Sequence, residues 1–204
     1  MSLVKICGLK RECDIDYVNK YKPDYIGFVF AKSKRQVTPQ QAERLKLKLD
    51  KNIKAVGVFV NQTVEFIADL CNRNIIDIIQ LHGDEDNSYI SQLKKITNRP
   101  IIKAVRVQSR EQVVQAEKLD CDFLLLDTYS ENAYGGVGET FNWKVIPKIK
   151  KPFFLAGGLN NENVVNAIKS VNPYCVDLSS GAETNGFKDE DKIKKIIDNI
   201  RGTK

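Results

Sequence analysis

Short apolar runs rich in β-branched residues recur at near-regular intervals along the chain, at residues 3–7, 25–30, 55–60, 76–81, 101–107, 123–127, 153–156 and 174–178. Each has strand length, and each is apolar almost throughout, as a strand covered on both faces must be. Most are followed by a segment with helical spacing and a start signal. In Thr38-Pro39-Gln40-Gln41-Ala42-Glu43, Thr38 is placed to cap and Pro39 fits the first turn. Residues 61–72, 86–96, 109–119, 160–171 and 188–200 repeat that pattern. Eight strand-and-helix units predict a single-domain (β/α)8 TIM barrel spanning residues 1–204. A doubly wound open sheet is the alternative, but it normally uses about five or six strands and would leave two units without a place. The sixth unit is the weakest. Residues 129–140 are rich in glycine and polar side chains, which predicts a lid-like loop beyond Asp127 before a short segment at 141–149.

With 42% hydrophobic and 28% charged residues, the composition is that of a globular protein and too apolar for disorder. No run approaches the about 18 apolar residues of a membrane span, and the N-terminus lacks a signal-peptide pattern. A cytoplasmic protein without a membrane partner is expected. Cys7, Cys13, Cys71, Cys121 and Cys175 are scattered, without C-x-x-C pairing, and predict reduced thiols. A single histidine, His82, argues against a histidine-rich metal site. The net charge of +6 is spread over predicted helices and both ends, so it predicts a solvated basic surface that attracts a polyanionic small molecule rather than nucleic acid.

In a barrel of this kind the strand C-termini and the loops after them build the site. Cys7 and Asp127 close two strands far apart in sequence and so reach the same mouth, a thiol and a carboxylate suited to act as base and acid. Alone, Cys7 reads equally as a small buried hydrophobe. As a base it needs neighbouring positive charge, because a free thiol is mostly protonated at neutral pH. Glycine-rich turns follow the last two strands, Ala156-Gly157-Gly158-Leu159 and Leu178-Ser179-Ser180-Gly181. Together they predict a phosphate site built on backbone N–H groups, where either alone could be a tight turn. Arg35, after strand two, offers a planar fork for a carboxylate. His82, after strand four, is either a polar wall of the site or a structural histidine. Trp143 and Phe141 are expected to anchor the loop after strand six.

Taken in order, Val4-Lys5-Ile6-Cys7-Gly8-Leu9, Gly27-Phe28-Val29-Phe30 with Ser33-Lys34-Arg35, Gly57-Val58-Phe59-Val60-Asn61, Gln80-Leu81-His82-Gly83, Leu125-Leu126-Asp127-Thr128, Gly135-Gly136-Val137-Gly138 with Phe141-Asn142-Trp143, and the two glycine turns resemble the phosphoribosylanthranilate isomerases. The resemblance implies a cofactor-free enzyme of tryptophan biosynthesis that converts N-(5-phosphoribosyl)anthranilate into 1-(2-carboxyphenylamino)-1-deoxyribulose 5-phosphate by an Amadori rearrangement. It implies Asp127 as the acid that opens the furanose ring and Cys7 as the base at C2. It further implies Arg35 on the anthranilate carboxylate, backbone groups around Gly157, Gly158, Ser180 and Gly181 on the phosphate, and His82 in the wall. Ala156, Val137 and Asn142 depart from residues frequent in that family. Related phosphosugar isomerases of the histidine pathway carry an aspartate on strand one, and indole-glycerol-phosphate synthase a lysine; Cys7 argues against both. A monomer is expected, with a homodimer as the alternative.

Overall fold

A computed structural model describes residues 2–128 and 143–202 of the chain. Eight parallel strands close into a barrel in sequence order: β1 (Leu3–Cys7), β2 (Tyr25–Val29), β3 (Lys54–Phe59), β4 (Ile78–Leu81), β5 (Ile101–Val107), β6 (Phe123–Thr128), β7 (Phe153–Leu155) and β8 (Cys175–Leu178). The seam closes where β8 pairs with β1, Lys5 opposite Asp177. Around the barrel lie α1 (Glu12–Tyr21), α2 (Pro39–Lys48), α3 (Val64–Asn72), α4 (Asn87–Ile96), α5 (Arg110–Ala116), α6 (Val164–Val171) and α7 (Glu190–Arg201). The larger core lies between strands and helices, and a smaller one, including Tyr25, Val56, Leu125 and Phe154, fills the barrel below the mouth.

Local chemistry sets the element ends. Thr38, Thr63, Asp86, Ser109 and Asp189 each accept a hydrogen bond from a backbone N–H in the first turn of the helix that follows, caps contributing about 1 kcal/mol apiece. The predicted helix starts at 61 and 160 are early by a few residues, the helices beginning at Val64 and Val164. Asn61 takes a left-handed conformation (φ 49°), and Asn160 and Asn163 bond each other's turn before α6 begins. An aspartate precedes three even-numbered strands and ties down the strand before it. Asp24 accepts from Val4 N (2.9 Å), Asp77 from Ala55 N (2.8 Å) and Asp122 from Ile101 N (2.8 Å). Between β6 and β7 the described residues hold only a 3-10 turn, Trp143–Val145, whose Trp143 packs on the core. The predicted lid and Phe141 lie outside the described residues.

The chain between β8 and α7 differs from expectation. Residues 188–200 do not form one helix, because Lys188 belongs to a hairpin, β9 (Glu183–Thr184) with β10 (Phe187–Lys188). Its two-residue turn is Asn185-Gly186, both at positive φ (53° and 79°), as a turn matching strand twist requires. The hairpin is held over the mouth by Glu183, which accepts from Arg35 Nε (2.7 Å), Arg35 Nη2 (2.8 Å) and Lys188 Nζ (2.5 Å). Burial alone would raise the Glu183 carboxyl, but the two cations outweigh it and hold it at about 2.

Two stability predictions follow from these contacts. Lys5 Nζ lies 2.6 Å from Asp177 Oδ2, both side chains buried. Lys5→Met leaves an uncompensated carboxylate and is expected to cost about 3–5 kcal/mol in urea denaturation, whereas Lys5→Met/Asp177→Leu should recover most of it. A double variant no more stable than the single one would contradict this. Glu183 titrates at about 2 when folded and about 4.3 when unfolded. Its contribution is therefore fully present above the unfolded value and is lost as pH falls toward the folded one. Glu183→Gln is expected to lower Tm at neutral pH and to narrow its difference from wild type below about pH 4; a pH-independent difference would remove the ion triad as its source.

Candidate active site

The strand C-termini surround a cavity of about 560 Å³, a size suited to a small ligand. Cys7, Asp127, Arg35, His82, Gly157, Gly158 and Ser180 all contribute to its wall. Residues predicted from distant segments thus meet at one mouth.

Cys7 ends β1 and points inward beside β2, where only glycine fits: a Cβ on Gly27 would stand 2.5 Å from the Cys7 Sγ. The thiol is buried, and burial pushes it up; Lys5 pulls it down, Asp177 pushes it up and Lys188 pulls it down, with burial prevailing in the unliganded site. Lys5, one inward position below Cys7, is fully buried. Burial would lower its ammonium, but Asp177 and Cys7 outweigh burial and raise it. Lys188 is lowered by burial, against the opposing pull of Glu183. It donates to Ser179 O (3.0 Å), while Ser179 Oγ donates to Cys7 O (3.1 Å), so the hairpin holds the end of β1 through the loop after β8.

Across the mouth, Asp127 is 4% exposed and its Oδ2 lies 3.3 Å from His82 Nε2. His82 Nδ1 lies 2.9 Å from Gln80 Nε2, and Gln80 Oε1 accepts from Lys5 Nζ at 2.8 Å. The segment after β4 is pinned from outside the barrel: Lys103 Nζ donates to Gly83 O (2.7 Å) and pairs with Glu85 (3.1 Å), whose carboxylate takes the Gly83 and Asn61 N–H groups. Asp177 Oδ1 is buried and has no hydrogen-bond partner among the described residues. Asp177 is among the residues that line the cavity.

Arg35 reaches the mouth as expected, but one edge of its fork is already occupied by Glu183, leaving Nη1 without a hydrogen bond among the described residues. The loops after β7 and β8 carry the glycines. Gly157 and Gly158 adopt positive φ (87° and 63°), and Asn163 Nδ2 donates to Gly158 O at 2.9 Å, holding that turn open. Ser180 opens a 3-10 turn at the cavity wall. Gly181 does not line the cavity. A Cβ there would stand 1.9 Å from Leu159 O, so this glycine lets the loops after β7 and β8 touch.

The sequence reading did not single out Lys5, Gln80, Asp177, Glu183 or Lys188. The first three carry a visible signal, a polar residue interrupting an apolar strand two positions from another site residue and therefore on its face. For Glu183 and Lys188 the signal is Asn185-Gly186 between two short extended pairs. Among the described residues no cluster of three or more His, Cys, Asp or Glu side chains is placed to hold a metal ion, and no helix is long and apolar enough to cross a membrane.

Comparison with known proteins agrees with this geometry. Residues 4–199 match the family described as N-(5'phosphoribosyl)anthranilate (PRA) isomerase. The N-(5'-phosphoribosyl)anthranilate isomerase of Endomicrobium trichonymphae is 50% identical over 201 residues, covering 98% of this chain and 99% of the relative. The crystal structure of phosphoribosyl anthranilate isomerase from Thermotoga maritima superposes with a TM-score of 0.87 at 36% identity, covering 99% of this chain and 100% of the other. Another such isomerase, solved in complex with reduced 1-(o-carboxyphenylamino)-1-deoxyribulose 5-phosphate, gives 0.83 at 34% identity, covering 99% of this chain and 100% of the other. Full-length identity, the shared barrel and the assembled mouth place the chain in the N-(5'-phosphoribosyl)anthranilate isomerase family.

Proposed function

We propose that the cavity isomerises N-(5-phosphoribosyl)anthranilate to 1-(2-carboxyphenylamino)-1-deoxyribulose 5-phosphate, in tryptophan biosynthesis, with Asp127 as general acid and Cys7 as general base and without a cofactor. The observation that carries the assignment of roles is the convergence of Cys7 and Asp127 in one cavity whose wall also holds Arg35 and the Gly157-Gly158 turn. The substrate has an anion at each end. The glycine turn and Ser180 take the phosphate through backbone N–H groups, and Arg35 takes the anthranilate carboxylate with its Nη1 edge or by exchange with Glu183. Binding energy from both ends then orients the sugar between acid and base.

Asp127 gives its proton to the furanose ring oxygen as the C1–O bond breaks, and the anthranilate nitrogen lone pair forms C1=N. The Cys7 thiolate removes the C2 proton, and the C2–H electron pair becomes the C1=C2 bond of a neutral enolamine. Gain of a proton at C1 and its loss from the C2 hydroxyl give the ketone. Burial pushes the Cys7 thiol up, and Lys5 and Lys188 are the nearby cations that favour its thiolate.

A monomer is part of this reading. Among the described residues the exposed large hydrophobic side chains Leu47, Ile96, Val114, Tyr174 and Phe187 sit on separate segments. A cytoplasmic location is part of the same reading.

The reaction is followed by the loss of anthranilate fluorescence when protein meets freshly generated phosphoribosylanthranilate. Cys7→Ala and Asp127→Ala are each expected to lower kcat by about 10²-fold or more while circular dichroism stays unchanged. Near-normal turnover in either variant would remove that residue from its role. Arg35→Ala is expected to raise KM by about 10- to 100-fold, the worth of a charge-assisted contact, with a smaller change in kcat; an unaltered KM would mean that the carboxylate binds elsewhere.

A further inference from the structure

The hydrogen-bond chain running from Lys5 through Gln80 to His82 has only one consistent arrangement of protons. Lys5 Nζ is solely a donor, so the atom of Gln80 that faces it at 2.8 Å must be the amide oxygen. That orientation turns the Gln80 NH2 group toward His82 Nδ1, 2.9 Å away. Because the NH2 group is solely a donor, Nδ1 must present its lone pair. The imidazole proton is then on Nε2, which faces Asp127 Oδ2 at 3.3 Å. A doubly protonated ring would set Nδ1–H against the Gln80 N–H, two donors in contact, so the arrangement also disfavours imidazolium. The Lys5 end is itself fixed, because its ammonium is buried and paired with Asp177 at 2.6 Å.

We propose that Gln80 is a positioning residue for the isomerisation: anchored by Lys5, it locks His82 in the neutral Nε2–H tautomer and thereby keeps the catalytic proton on Asp127. The inference rests on the reading of Asp127 as the acid and deepens it. In the opposite tautomer the Nε2 lone pair would face Asp127 and accept its proton, giving an imidazolium and a carboxylate that has no proton to give the ring oxygen. With the proton on Nε2, His82 instead presents a donor to Oδ2 and has no lone pair there to take the Asp127 proton. The same chain joins the two sides of the mouth. Lys5, which stabilises the Cys7 thiolate, is also the group that orients Gln80.

His82 is the single histidine of the chain, so its ring nitrogens can be read without assignment by long-range 15N–1H correlation on 15N-labelled protein. At neutral pH the expected spectrum shows a pyridine-type Nδ1 and a pyrrole-type Nε2. A protonated Nδ1, in either the neutral or the charged ring, would overturn the proposal without any variant being made. Gln80→Glu places a carboxylate against Nδ1. It is expected to move a proton onto Nδ1 and to lower kcat by about 10²-fold, with KM changed by less than about threefold. Gln80→Met, which removes the lock without adding charge, is expected to give a mixture of tautomers and an intermediate kcat. Retention of the wild-type spectrum and kcat in Gln80→Met would overturn the proposal. Asp127→Ala separates the two readings: full turnover there would discard Asp127 as the acid, whereas an inactive Asp127→Ala beside a wild-type Nδ1–H ring would discard only the role of Gln80.

Discussion

The buried pair of Lys5 and Asp177 is the contact on which the rest of the site depends. It lies across the seam where β8 meets β1, so it joins the first strand of the barrel to the last in the layer just beneath the mouth. Two charges withdrawn from water are a weak source of net stability. Their value here is positional, because an ammonium that cannot leave its carboxylate is a fixed point for whatever else it touches. Lys5 touches Gln80 on one side and acts on Cys7 on the other. One buried cation therefore acts on Cys7 and, two hydrogen bonds further on, on the orientation of His82.

Charge near the base is balanced rather than maximal. Two lysines favour the thiolate, while burial and Asp177 oppose it. A thiol left protonated until substrate arrives is less open to oxidation and alkylation than a standing thiolate. Lys188, the second of these cations, is delivered by the hairpin of β9 and β10, which is also the source of Glu183. The hairpin thus supplies the base with a cation and Arg35 with a partner, from a segment that contributes nothing to the barrel's strands.

How much of this was legible in the sequence depended on the kind of signal each part leaves. The strands and most helices could be read because burial on both faces writes an unbroken apolar run, and a capped amphipathic helix writes a period and a start. Cys7, Asp127 and Arg35 could be placed at one mouth because the fold, once inferred, fixes where strand ends go. The close approach of Gly181 to Leu159 O could not be read, because a glycine that permits loop contact and one that exposes an N–H look alike in sequence. Lys188 was absorbed into the following helix because it continues that helix's polar and apolar spacing, although Asn185-Gly186 argued otherwise. Lys5, Gln80 and Asp177 went unremarked for a different reason. Their meaning lies in pairing across strands one, four and eight, a relation between registers that no single stretch of chain records.

Arg35 shows how the fold handles a strong binding group before its ligand arrives. A guanidinium waiting unpaired in a half-buried mouth would be free to swing among rotamers, and ordering it on binding would cost entropy. Glu183 removes that freedom by gripping one edge with two short hydrogen bonds. A substrate carboxylate that used the other edge would find a donor already aimed, and preorganisation of this kind improves affinity by lowering the ordering cost rather than by adding contacts. The acidic partner has a second consequence. Because Glu183 is held ionised far below neutrality by Arg35 and Lys188, it adds a fixed negative charge behind the guanidinium and weakens its hold on anions in general. An anion that only meets the charge gains little, whereas a planar carboxylate on a substrate anchored at its phosphate end gains the oriented donor as well. Glu183 therefore trades raw electrostatic attraction for selectivity toward the ligand that spans the whole cavity.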